Sequence, residues 1–253
     1  MPKGALRWHH SFTLIRRRIG CAAAASLPDA GCALYSPARA LTAPDVRPVL
    51  YSRARLTDER GVAVRASTVV QATNYIFHYP FLGTPCFLIN LGRPTQQDVE
   101  LSVHGAGKYH WPGGVGPQRS IVAYSAICTH RMSYPTRQIS FISYRERGSV
   151  SAAARDKTIH CCSEHSEYDP AAGARVVNGP APHPLQTILL EHDSRDDSLY
   201  AVGTLGGDIY AAFFSKYEFK LELDYGPGRA RQAVKSTSVV TELQTFCKQQ
   251  VRC

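Results

Sequence analysis

Cys128-Thr129-His130-Arg131-Met132-Ser133 and Cys161-Cys162-Ser163-Glu164-His165-Ser166-Glu167-Tyr168-Asp169-Pro170, followed by Gly179-Pro180-Ala181-Pro182, carry the reading of this chain. The first stretch holds a C-x-H pair, Cys128 and His130, and the second a C-x-x-H pair, Cys162 and His165. Together they offer two thiolates and two imidazoles. A tetrahedral zinc ion takes that set. So does a [2Fe–2S] cluster that has one iron on sulfur and the other on nitrogen. A structural zinc site has no use for the Ser-Glu-Tyr-Asp-Pro and Gly-Pro-Ala-Pro stretches that follow, and these turn the reading toward the cluster.

With those stretches in place the chain resembles the Rieske iron–sulfur family. The resemblance runs from about residue 121 to 185 and continues more weakly to about 225. It implies that Cys128, His130, Cys162 and His165 ligate a [2Fe–2S] cluster. It makes Gly179, Pro180 and Pro182 the shielding proline loop, and Ser166 and Tyr168 the hydroxyl donors to cluster or ligand sulfurs. It also implies a fold: all-β, a small antiparallel sandwich or barrel with the two ligand loops at one end.

The chain departs from the family in three places. Most members carry a further cysteine in each box, joined by a disulfide. Ser133 stands where the first belongs and Glu164 precedes His165 in the second box, so that bridge is not expected. The second register is double: Cys162 with His165 keeps the C-x-x-H spacing, whereas anchoring on Ser166 and Tyr168 makes Cys161 the thiolate and puts Glu164 in the histidine position. The 31 residues between His130 and Cys162 are about twice the family gap. The excess falls in residues 138–156, where 138–144 alternates like a strand and 145–155 reads as a loop.

The 253 residues, 44% of them hydrophobic, suffice for one domain with extensions. Of the net charge of +9, residues 1–60 supply most: ten Lys and Arg face four acids. No basic helix or basic–aromatic alternation points to nucleic acid. Arg16-Arg17-Arg18 ahead of an alanine-rich run, with Ala38-Arg39-Ala40 beyond, reads as an export signal over residues 1–40 and a periplasmic destination. If that leader is not a signal, a cytoplasmic location is expected instead. No window reaches the roughly 18–20 apolar residues of a membrane span. Eight cysteines are too scattered for a disulfide framework to be read, and Cys86 is expected to be a buried small hydrophobe.

The resulting organisation is a basic leader and linker over 1–60, a Rieske [2Fe–2S] domain over 61–228 and a C-terminal amphipathic helix over 229–253. Strands are expected at 62–70, 86–91, 99–103 and 121–126, with a hairpin at 187–202 and one or two helical turns at 208–217. The acids Glu164, Glu167 and Asp169 read as a negative rim. The implied function is one-electron transfer as a subunit of an exported oxidoreductase, with a cytochrome c or a quinol-oxidising or molybdenum subunit as redox partner. The alternatives are a soluble ferredoxin feeding an oxygenase and a cluster-free interaction module. An oxygenase is excluded: only 68 residues follow Leu185, and they hold one histidine, His192.

Overall fold

The structure, a computed structural model, describes residues 45–147 and 155–253. These belong to the compact unit Thr42–Cys253. The expected signal over 1–40 and part of the expected insertion loop lie outside the described residues.

In chain order the strands are β1 Val49–Thr57, β2 Tyr75–His78, β3 Pro85–Asn90, β4 Val99–Val103, β5 Gly107–Trp111 and β6 Ile121–Ser125. Then come β7 Ile139–Ser140, β8 Ile142–Arg145, β9 Thr158–Cys161, β10 Ser166–Asp169, β11 Arg175–Asn178, β12 Thr187–Asp193 and β13 Ser198–Leu205. Helices α1 Tyr210–Lys216 and α2 Glu218–Tyr225 follow, and β14 Thr237–Val239, β15 Thr241–Glu242, α3 Leu243–Phe246 and β16 Gln249–Gln250 end the chain.

The main sheet has the order β14-β1-β13-β12-β6-β3-β2-β15. Its two ends are made by nearly consecutive residues, because β14 pairs with β1 and β15 with β2. At that seam the Ser238 hydroxyl of β14 accepts from His78 N of β2 and donates to His78 O. The sheet therefore curls until it almost closes, which leaves few open edges.

Strand β3 lies inside the sheet and is apolar from Pro85 to Ile89 because both its faces are covered. Cys86 and Leu88 face the interior of the curled sheet, with Leu56, Phe77, Ile188 and Leu199. Phe87 and Ile89 face the other way, with Val122 and Tyr124. That second face packs against the four-stranded sheet β11-β10-β9-β8 and the β4–β5 pair, through Ile142, Ile159, Tyr168 and Trp111. Each such fully buried side chain contributes about 1.5–3 kcal/mol of transfer free energy. Cys86 is wholly buried, its thiol pushed up by that burial. A third cluster beneath the first motif packs Ile127 and Tyr134 against Phe213, Phe214 and Leu221 of α1 and α2.

The architecture is the small β sandwich and barrel that the sequence implies. Three local readings are corrected. The β domain begins inside the stretch read as linker, because β1 covers Val49–Thr57. Residues 62–70 form no long strand; single bridges at Ala63 and Arg65 precede a short 3-10 turn at Ala66–Thr68. The helical spacing near the C-terminus yields one helical turn, α3, between short strands. Two sheet edges needed partners there, and tertiary pairing outweighs a spacing of apolar residues that β-branched Thr and Val serve poorly in a helix.

His78, at the seam, lies beside the Tyr225 hydroxyl at 3.2 Å. Burial, with the Arg137 charge adding, pushes its imidazole down to about 4. The unfolded chain therefore binds a proton near pH 6.5 that the native state refuses until about pH 4. The stability that His78 contributes is full above 6.5 and is lost as pH falls through that window. In urea unfolding, the stability advantage of wild type over His78→Gln should shrink steadily from pH 7 to pH 4; a constant difference would mean that the ring is not held neutral.

Candidate metal centre

Residues 128–133 form a closed loop at the end of β6: Cys128 N donates to Ser133 O at 2.9 Å and Met132 N to Cys128 O at 2.8 Å. Residues 162–165 are the tip of the β9–β10 hairpin, where Cys161 pairs with Ser166. The hairpin places the Cys161 side chain on the face of the small sheet that looks into the core. There Cys128 and Cys161 share a hydrogen bond, both wholly buried.

The two loops repeat one geometry. Each thiol accepts from the backbone amides two and three residues further on, His130 and Arg131 for Cys128, Ser163 and Glu164 for Cys161. Four residues after each cysteine the chain turns left-handed, at Met132 (φ 59°) and at His165 (φ 55°). Neither is glycine, so the turns are held against a steric cost. The correspondence makes Cys161, and not Cys162, the counterpart of Cys128. It also places Glu164, and not His165, one residue before the second left-handed turn.

The sulfur pair is polarised. Chiefly through the hydrogen bond with Cys161, helped by the Tyr168 hydroxyl and the two amides, Cys128 is lowered to about 6. The same shared proton, with burial, pushes Cys161 up. Tyr168 Oη lies 3.3 Å from Cys128 Sγ and 3.2 Å from Thr129 Oγ1, and accepts from Thr129 N at 3.4 Å. Two polar atoms nearby are buried without a partner: His130 Nδ1 and the Ser166 hydroxyl.

The proline loop closes over this arrangement. Gly179 has φ +85°, and a Cβ there would lie 2.4 Å from His165 O and 2.6 Å from Ser166 Cα, so only glycine fits. Pro180 and Pro182 are exposed. His183 O accepts from Thr129 Oγ1 at 2.8 Å and ties the proline loop to the first loop. Arg131 Nε and Glu164 Oε1, 3.4 Å apart, link the first loop to the second.

Of the residues expected to ligate, the structure brings Cys128 into a sulfur pair and leaves an imidazole nitrogen of His130 free beside it. It does not bring Cys162 or His165 into that pair. Cys162 instead forms a disulfide with Cys253, with a Cα–Cα separation of 5.5 Å, and His165 is exposed on its left-handed turn. The acidic rim is also corrected. Glu167 is buried beside His160, while Asp169 accepts from Ala171 N and lies 3.7 Å from Arg175.

Sequence reasoning missed Arg145, Thr129, His183 and Cys253. Arg145 donates to Cys162 Sγ at 2.7 Å, Val251 O at 3.1 Å and Cys253 O at 3.0 Å. With β16 paired to β7, the C-terminal segment is strapped across the base of the second loop. No spacing in the chain signals a bond across 91 residues.

The donors fit a [2Fe–2S] cluster at three of its four ligand positions. Two neighbouring thiols with amides directed at their sulfurs suit one iron, and the unpartnered His130 Nδ1 suits the other. At the fourth position the C-x-x-H spacing counted from Cys161 reaches Glu164 in place of an imidazole. Among the described residues no three His, Cys, Asp or Glu side chains converge on one point. A two-iron cluster takes its protein ligands two per iron, and Cys128 with Cys161 would suit one such pair.

No protein-family model matches the chain. Among solved structures it is similar to the soluble domain of the Rieske protein II (soxF) from Sulfolobus acidocaldarius, at 29% sequence identity and a TM-score of 0.41. That match covers 61% of this chain and 78% of the other.

Peptide mapping without reductant should recover Cys162 joined to Cys253. Cys253→Ser should lower stability by about 2–4 kcal/mol, the usual range for a disulfide closing a long loop. A map that joined Cys162 to Cys128 or Cys161 would contradict this arrangement.

Proposed function

We propose that this protein is a one-electron carrier of Rieske type, with a [2Fe–2S] cluster seated between the two loops. Cys128 and Cys161 would hold one iron, and His130 with a donor from Glu164 or His165 the other. The observation that carries this is the buried Cys128–Cys161 pair, each sulfur served by two backbone amides and one also by the Tyr168 hydroxyl. When bound, such a cluster supplies reversible one-electron chemistry, its potential set by ligand type, hydrogen bonds to sulfur and solvent exposure.

The chain's own residues bear on each of those levers. The amides of His130, Arg131, Ser163 and Glu164 stabilise negative charge on sulfur, and Tyr168 adds a hydroxyl. Ser166, buried and unpartnered, has a further hydroxyl to give. The proline loop excludes water from one side. Excluding water works against the reduced, more negative state, whereas the hydrogen bonds favour it. A carboxylate donor from Glu164 would pull the other way, so its use would lower the potential relative to a second imidazole.

The partner in this reading is a redox protein that docks at the loop tips, a cytochrome c or a quinol-oxidising or molybdenum subunit. No described helix is long and apolar enough to cross a membrane. The Cys162–Cys253 disulfide supports an oxidising compartment, in keeping with a periplasmic location. The Glu164 position supports one alternative, a cluster-free interaction module on the same scaffold.

EPR of the dithionite-reduced protein, with iron and acid-labile sulfide analysis, separates these readings. Two irons and two sulfides per chain are expected, lost in Cys161→Ser and His130→Ala but kept in Cys162→Ser. Comparing Glu164→Ala with His165→Ala identifies the fourth donor, since only one should alter the g-values. Protein that holds neither iron nor sulfide after anaerobic reconstitution would leave the interaction module as the reading.

A further inference from the structure

A cavity of about 430 Å³ opens at the seam of the curled sheet, away from the Cys128–Cys161 pair. Its walls come from β2, β14, the chain just after the first loop, and the ends of α2 and α3. Four of its lining side chains are aromatic, His78, Tyr134, Tyr225 and Phe246, and the charged ones are Arg137 and Asp224. This volume lies in the range of about 300–1,000 Å³ that small-molecule sites occupy.

We propose that this cavity is a binding site for a planar aromatic carboxylate. Two features select that class. The Arg137 guanidinium has no carboxylate within ion-pair distance among the described residues; it stacks over the Phe246 ring at 4.4 Å, which leaves its donating edge free. Its backbone is fixed, because Arg137 O accepts from Lys248 N at 3.1 Å. A guanidinium held flat in this way presents a donor fork that matches a carboxylate in two places.

The second is the wall itself. His78, uncharged, stands edge-on to Tyr225 with ring centres 6.3 Å apart, and 5.9 Å from Phe246. Rings in such an arrangement accept a further flat ring against them. Asp224 is already engaged by Lys220 at 3.1 Å, and its charge disfavours a dianion, so the site selects a single carboxylate.

The site is independent of any cluster, and its test is a direct titration. The full chain is titrated with 2-naphthoate and with uncharged 2-naphthamide by calorimetry and saturation-transfer NMR. Naphthoate should bind about tenfold more tightly than the amide, the worth of one charged hydrogen bond. Arg137→Gln should remove that advantage. Arg53→Gln, on β1 beside Glu191, should leave it unchanged. The proposal is overturned if millimolar naphthoate gives no saturation transfer or if the amide binds equally well. It is also overturned if folded Arg137→Gln protein binds as wild type does, or if acetate competes as strongly as naphthoate.

Discussion

Two thiols brought together in the core are the constraint on which the rest depends. Cys128 and Cys161 come from loops 33 residues apart in sequence, and a pair of buried sulfurs sharing a proton is stable only if each receives other donors. The chain meets that need with four backbone amides and the Tyr168 hydroxyl. Those amides point correctly only because Met132 and His165 hold left-handed turns. The turns in turn persist because the proline loop packs on one through Gly179 and binds the other loop through Thr129.

The rigid parts of the fold exist to bring these loops into register. The curled sheet supplies the first loop from the end of β6, and the small sheet supplies the second from a hairpin. The two sheets meet along Phe87, Tyr124, Ile159 and Tyr168. Helices α1 and α2 pack beneath the first loop, where Lys216 Nζ donates to Arg131 O at 2.6 Å. A displacement of either sheet would separate the sulfurs, so packing far from the site governs its geometry.

The loops lack the disulfide that joins them in most proteins of the family they resemble, and other links stand in its place. Arg131 and Glu164 form a surface ion pair, which is worth little by itself. The stronger restraint runs from Cys162 to Cys253 and through Arg145. It secures the second loop to the C-terminal strap and leaves the first loop to the proline loop and the helices. Fixing the loops separately permits the second to vary in sequence without altering the first.

Much of this was written in short-range pattern. The two Cys-containing stretches, the glycine of the proline loop and the apolar runs of β3, β6, β12 and β13 follow from local chemistry, and they established the β fold and the placing of the loops. The choice between Cys161 and Cys162 was not local. Adjacent residues in a hairpin point to opposite faces, and only the pairing of β9 with β10 and β8 decides which sulfur enters the core. The C-terminal strands, the Cys162–Cys253 bond and the burial of Glu167 depend likewise on partners remote in sequence, which become neighbours only when the sheets close.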